Sequence, residues 1–256
     1  MIKVHYAVQV CDVASNQNNK RYASDSRTEI TAKCCKSLIK SIQECIKRQP
    51  HTVHHVMFFN DHSTQETLDT LKTLECSTDN LIVEVTNLEK SGIMTSIQSC
   101  YEWLRDNGEH LIYQIQDDYL YEPKAIFEMI DMVFSNNAIV VYPYNHPGFW
   151  NDDRNFMNRD IPTRLIPGRY RYWMKIYNVS CSFLTSHKVL KENYDLFEKL
   201  FSGQPLDHGL ETHSVNRLMT ERGFLGVMPV ESIALHMQAV YEKDPYINWK
   251  ERWESV

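Results

Sequence analysis

Four acids in this 256-residue sequence stand at or just beyond the ends of apolar runs. Asp12 follows the run at 4–10, Asp61 follows the run at 53–59, and Asp117 and Asp118 follow the run at 111–115. If these runs are parallel strands of a doubly wound sheet, the acids lie beyond the carboxyl ends of neighbouring strands, where such folds bind ligands. Gathered there, they suit a divalent cation together with the hydroxyls and base of a nucleotide, the cation neutralising phosphate. Taken alone, an Asp-Asp pair after a strand is more often a turn or helix cap, and Asp61-His62-Ser63 is also a good helix start. The combination with His236 favours the site reading.

The elements that must hold these acids are legible in the spacing. Apolar runs at 4–10, 53–59, 81–85 and 111–115 alternate with helical patterns, which predicts βαβ units around a largely parallel sheet. Ser26 and Glu29 have capping-box spacing ahead of Leu38, Ile39 and Ile42. Ser63 and Glu66 repeat it ahead of Leu68, Leu71 and Leu74. A third helix fits Ile93, Ile97, Cys100, Tyr101 and Leu104, and Pro123 suits the first turn of a fourth carrying Ile126, Phe127, Ile130, Val133 and Phe134. Residues 143–171 lack periodicity and read as a long functional loop. A strand at 179–184, helices near 187–201 and 208–222, and a strand at 224–235 complete the expectation. Trp249 and Trp253 predict a short amphipathic tail helix that closes over the site or meets another subunit.

With 43% hydrophobic and 23% charged residues, the chain can bury one sizeable core. A net charge of -6 argues against a surface that grips nucleic acid throughout. Seven cysteines without C-x-x-C spacing read as reduced, buried thiols. No run approaches the roughly 20 apolar residues that cross a bilayer, and the first residues lack a signal-peptide pattern, so a cytoplasmic protein is expected. His51, His54 and His55 alternate along a strand, which divides them between faces and favours a polar strand entry over a metal site.

Three segments in order carry a resemblance to the family 2 glycosyltransferases and their GT-A relatives. Asn60-Asp61-His62-Ser63-Thr64-Gln65-Glu66-Thr67 resembles their acid-x-Ser-Thr-x-x-Thr loop, and Gln116-Asp117-Asp118-Tyr119-Leu120 resembles their D-x-D segment. Glu211, Arg217, Gly223, Pro229 and His236 follow the order of their acid, Arg, Gly, Pro and terminal His. The resemblance implies one GT-A domain over 1–256, an α/β Rossmann-like sheet with a nucleotide-binding half at 1–118 and an acceptor-side half at 119–256. It also implies sugar transfer from a nucleotide diphosphate sugar, UDP-sugar favoured, with inversion. Asp12 and Asp61 would contact the nucleoside. Asp118, supported by Asp117, would coordinate Mn2+ or Mg2+, with His236 as a further ligand or phosphate contact. Glu211 would be the general base, with Asp207 as the alternative. The chain departs from the pattern at Gln116, which replaces the first acid of D-x-D, at Leu210-Glu211 in place of an acid pair, and at Lys90-Ser91-Gly92 in place of Asn-x-Gly. Lys90 could there meet a phosphate or the donor sugar.

The acceptor side is expected in 145–175. Arg154, Arg159, Arg164, Arg169, Arg171 and Lys175 stand there among Phe156, Tyr170, Tyr172 and Trp173. Positive charge beside stacking surfaces suits a phosphate-bearing acceptor: a modified nucleic acid, a nucleotide or a lipid-linked sugar phosphate, bound by Arg169, Arg171 and Trp173. Pairing of these arginines with Asp152, Asp153 or the donor diphosphate is the competing expectation. Two rivals remain for the whole chain, a catalytically idle nucleotide-sugar binding protein and a nucleotidyltransferase. The second would carry a Gly-rich basic loop after the first strand, and residues 11–22 have none.

Overall fold

The computed structural model describes residues 1–13, 26–145, 164–179, 182–202, 211–237 and 247–256. Its centre is the parallel set β1 (Ile2–Val10), β2 (Thr52–Asn60), β4 (Leu81–Asn87) and β5 (Leu111–Gln116). From Val4 to Val10 every residue of β1 is buried, because a central parallel strand is covered on both faces and so reads as a nearly continuous apolar run. Register aligns the strand ends: Val10 pairs with Asn60, Asn60 with Asn87, and Gln9 with Gln116. Asp61, Asp117 and the residues after Val10 therefore leave the sheet at one edge.

Three helices cover this half. On α1 (Arg27–Arg48), Ser26 caps the first turn by accepting from Glu29 N, and Ile30, Leu38, Ile39 and Ile42 are buried. The start of α2 (Gln65–Lys72) is one residue later than the capping-box spacing predicts. Thr64 is the cap, because the Ser63 hydroxyl instead accepts from Asp12 N. The third helix, α3 (Ile93–Asn107), buries Ile97, Cys100, Tyr101 and Leu104, as its spacing predicts, and leaves Ile93 exposed. The short β3 (Cys76–Ser77) pairs antiparallel with β4 at the sheet edge.

Beyond β5 the sheet becomes mixed. Its order is β3-β4-β2-β1-β5-β10-β7-β11-β9-β8, with β7 (Val140–Val141), β8 (Leu165–Pro167), β9 (Tyr172–Ile176), β10 (Leu184–Ser186) and β11 (Gly226–Pro229). The expected loop at 143–171 thus contains part of a hairpin, β8 with β9, which its sequence hides because β8 is largely exposed and short. Residues 146–163 lie outside the described residues. The expected strand at 179–184 meets the observed β10 only at Leu184; residues 180–181 lie outside the described residues, and the strand runs on to Ser186. The expected final strand divides: after Pro229 the chain leaves the large sheet, and β12 (Ala234–His236) pairs with β6 (Tyr119–Tyr121) as a separate ribbon. Helix α4 (Ala125–Asn136) starts two residues after Pro123, buries Ile126, Phe127 and Ile130, and leaves Phe134 exposed. The expected helix at 187–201 is broken at Asn193 into α5 (His187–Glu192) and α6 (Tyr194–Glu198), and that at 208–222 is found as turns at 211–216 followed by α7 (Arg217–Thr220).

The tail helix α8 (Trp249–Glu254) docks on its own chain. Trp249 and Trp253 are buried, Lys33 Nζ on α1 donates to Trp253 O at 2.9 Å, and Arg252 Nε donates to Tyr121 O at 2.8 Å. No helix among the described residues is long and apolar enough to cross a membrane.

Candidate active site

The acids after β1, β2 and β5 meet at one edge of the sheet, but their surroundings differ. Asp12 is a knot between three elements. Its carboxylate accepts from Thr64 N at 2.8 Å and from the hydroxyls of Thr28, Thr64 and Thr67 at 2.9, 2.5 and 2.6 Å. Burial pushes this carboxyl up, but the hydrogen bonds from Thr64, Thr67 and Thr28 more than reverse that and hold it below the usual range. Four donors occupy what a carboxylate can accept, so Asp12 ties α1 and the β2–α2 turn to β1.

Asp61 is buried and accepts from Gly92 N at 3.0 Å, with His62 Nδ1 at 3.2 Å. Gly92 has φ of 130°, a conformation a side chain would strain, and so lets the backbone N–H turn toward Asp61. Lys90, on the same turn, is exposed at the rim.

Asp117 and Asp118 share one arginine. Arg27, first residue of α1, donates through Nη2 to Asp117 Oδ1, through Nη1 to Asp118 Oδ2 at 3.0 Å and through Nε to Cys11 O at 3.3 Å. Asp117 also accepts from Thr31 Oγ1 at 3.0 Å and Cys11 N at 2.9 Å. Burial pushes the Asp117 carboxyl up to about 6; Arg27 opposes the rise and Asp118 adds to it. Burial alone would lower Arg27, yet Asp117 and Asp118 hold its guanidinium more firmly protonated.

His236 reaches this corner from far along the chain. The β6–β12 ribbon pairs it with Tyr119, whose ring it stacks on at 4.8 Å and 7°. Its Nε2 lies 3.2 Å from Asp118 Oδ1, and Met237 N donates to Asp118 O at 2.8 Å. The 3.2 Å separation is that of a His–Asp ion pair, and both side chains are of types that could hold a divalent cation. One carboxylate oxygen with one imidazole nitrogen suits Mn2+ better than Mg2+. Among the described residues no group of three His, Cys, Asp or Glu gathers for a cation, so further ligands would come from a bound molecule and water.

The other expected residues lie apart from these contacts. Glu211 opens the turns at 211–216, half-buried, its carbonyl accepting from Ser214 and Asn216 N; Asp207 lies outside the described residues. Arg171 is committed to structure: it bridges Glu128 through Nε at 2.5 Å and Nη2 at 3.2 Å, reaches Glu122 at 3.4 Å, and donates to Glu231 O at 2.9 Å. Trp173 is buried, its ring close beneath Gly168, and so offers no stacking face to solvent. Arg169 stands over the Tyr170 ring at 5.8 Å and lines a cavity of about 390 Å³ with Tyr172, Val230 and Glu231.

Sequence reasoning missed Arg27, Thr28 and Thr31. A signal was present: Thr28 and Thr31 are three apart, hence on one helix face, directly after a predicted cap and next to the strand ends.

The fold that carries this arrangement is of the GT-A glycosyltransferase type, a mixed sheet with a parallel Rossmann-like centre at β4, β2, β1 and β5, flanked by helices. It is similar to a crystal structure of TarS from S. aureus, with 13% identity, a TM-score of 0.52, and 90% of this chain aligned to 35% of that one. Crystal structures of S. aureus TarS 1–349, one of them in complex with UDP, align at 14% and 15% identity with a TM-score of 0.48. These cover 94% of this chain and 60% of theirs, so the chain spans between about a third and three fifths of the TarS chains it matches. No family model and no curated protein matches the sequence.

Proposed function

We propose that this chain is a metal-dependent glycosyltransferase that moves a sugar from a nucleoside diphosphate sugar, a UDP-sugar in our reading, to an acceptor hydroxyl with inversion. The observation that carries the proposal is the meeting of His236 with Asp118, because two residues matched to separate motifs of the resembled family come within 3.2 Å in three dimensions. In this reading Asp61 and the Gly92 turn orient the nucleoside, and Lys90 at the rim reaches the phosphates or the sugar. Asp12 and Asp117 hold the strand ends in place. Asp118 and His236 hold Mn2+ or Mg2+, which supplies charge neutralisation on the departing diphosphate. The acceptor oxygen bonds to the anomeric carbon as the bond from that carbon to the diphosphate breaks, and Glu211 takes the acceptor proton, Asp207 being the alternative base. The acceptor side rests on Arg169 and its cavity, where a phosphate-bearing group would find positive charge beside Tyr172.

The test is a thermal-shift screen of nucleoside diphosphates and their sugars, with and without Mn2+, on the wild type and on Asp118→Ala. A ligand that binds only the native state raises Tm, by about 5 °C or more at saturation for a domain of this size. We expect a Mn2+-dependent rise with UDP and one UDP-sugar, absent in Asp118→Ala. No rise with any nucleotide in folded protein rules the donor reading out.

A further inference from the structure

We propose that His62 selects the nucleobase. It admits a base whose edge sets a ring N–H beside a carbonyl, as uracil does, and turns away one that sets a ring-nitrogen lone pair beside an amino group, as cytosine does. The inference rests on the donor-site reading above, in which Asp61 orients the nucleoside, and gives base selection to a side chain that reading leaves without a task. His62 is the bend between β2 and α2, and its φ of 56° puts it in the left-handed region. The backbone on either side is fixed: Asp61 N donates to Val10 O at 2.8 Å, Ser63 N to Asn60 Oδ1 at 3.1 Å and Thr64 N to Asp12 Oδ1 at 2.8 Å. Glycine would make this bend without strain, whereas a residue with a Cβ is strained there. Strain of this kind clusters at ligand sites.

The base arrives at Asp61 in that reading, and His62 stands beside it. The His62 side chain is 51% exposed against 5% for Asp61, and its Nδ1 lies 3.2 Å from Asp61 Oδ1. A carboxylate only accepts, so Nδ1 carries the proton in this contact. Gly92 N donates to the same carboxylate, 3.0 Å from Oδ2 and 3.3 Å from Oδ1. The carboxylate and the imidazole N–H thus sit side by side, an acceptor next to a donor. The uracil edge is the complement, with N3–H a donor and O4 beside it an acceptor. On binding, N3–H takes the place of the imidazole at Oδ1, and the half-exposed ring turns its N–H to O4. That exchange leaves neither the buried carboxylate nor the imidazole without a partner. Cytosine reverses both groups, its N3 lone pair facing the carboxylate and its amino group facing an N–H. A site built on such a pair rejects the mismatch, because its polar groups are then left unsatisfied.

The experiment is calorimetric titration of the whole chain with UDP and with CDP, Mn2+ present throughout, for wild type, His62→Gly and His62→Asn, together with the Tm of each. Wild type should prefer UDP to CDP by at least about tenfold. His62→Gly should bind UDP about tenfold more weakly and CDP within about twofold of wild type, one hydrogen bond to the base being lost. Its Tm should equal or exceed that of wild type, because the left-handed strain is gone. Weaker binding by a chain that is no less stable is a result a purely structural His62 would not give. His62→Asn tolerates the left-handed backbone and keeps an N–H donor, so it should recover most of the UDP affinity. Unchanged UDP affinity in His62→Gly overturns the inference. So does an equal loss for UDP and CDP, which would set the ring against the ribose or the phosphates, and a fall in Tm with both affinities reduced assigns His62 to the turn instead. No UDP binding by folded wild type overturns the donor reading, and this inference with it.

Discussion

Two regions of this molecule use the same device, an arginine set between two carboxylates, and use it differently. Under the β8–β9 hairpin, Arg171 bridges Glu128 and Glu122 and caps the Glu231 carbonyl. At the strand ends, Arg27 bridges Asp117 and Asp118 and contacts the Cys11 carbonyl. The first cluster fastens an edge hairpin to α4. The second has additional protein partners on both acids: Thr31 and Cys11 N hold Asp117, and His236 faces Asp118. A buried arginine–carboxylate cluster is therefore not by itself a site. What sets the strand-end cluster apart is its place beyond the carboxyl ends of parallel strands, with the His236 side chain beside it.

The largest expected effect tests the structural half of this contrast. Arg171→Ala leaves Glu128, 4% exposed, without its bidentate partner, and removing one member of a buried ion pair costs about 3–5 kcal/mol. Urea unfolding should show that loss, with nucleotide-induced shifts unchanged in the fraction that folds. Replacing both partners, as Arg171→Met with Glu128→Leu, should recover most of it. Arg27→Gln should cost less than Arg171→Ala, because Asp117 and Asp118 keep their other partners. If Arg27→Gln proves the more costly, the two clusters have the same structural task and the contrast fails.

Asp12 sharpens the boundary between scaffold and site. Asp12→Ala strands three hydroxyls and one backbone N–H and should cost about 2–3 kcal/mol. The pH dependence carries a sign. The Asp12 carboxyl is held below its ordinary value of 3.8 in the folded chain. Its contribution to stability is therefore complete above the unfolded value and is lost as pH falls through the folded one. Stability measured from pH 6 downward should fall less steeply on the acid side of 3.8 in Asp12→Ala than in wild type. An unchanged slope would mean that the threonine cage does not stabilise the charged form.

The sequence made the regular half of the fold legible and the irregular half less so, for physical reasons. Strands β1 and β5 are buried apolar runs and β2 and β4 carry shorter ones, and the ends of β2 and β5 locate Asp61, Asp117 and Asp118 directly. Helix α1 was marked by its cap. The halves part company where packing outweighs local pattern. β8 is three mostly exposed residues, β10 and β12 are three residues each, and the stretch at 224–235 is interrupted at Glu231-Ser232, after which β12 joins a second ribbon. Expected roles separate along the same line. Trp173 and Arg171 looked like recognition residues because their types suit it, but register turns the first inward and Glu128 takes the second. Arg27 attracted no attention because its partners lie some 90 positions away, a distance no local pattern spans.

The smallest expected effect concerns what remains of the acceptor side. Arg169 lines the cavity beside Tyr172 together with Arg171 and Glu231, and it stands over the Tyr170 ring while Arg171 is committed to Glu128. A surface cation of this kind contributes under about 0.5 kcal/mol to stability, so Arg169→Ala should unfold almost as wild type does. If the cavity receives a phosphate-bearing acceptor, loss of that charge should raise KM for the acceptor several-fold, leave KM for the donor unchanged, and weaken the salt dependence of acceptor binding. An unaltered acceptor KM with a phosphate-bearing acceptor would assign the hairpin wholly to the scaffold, and the two regions would then differ completely: one a site, the other its support.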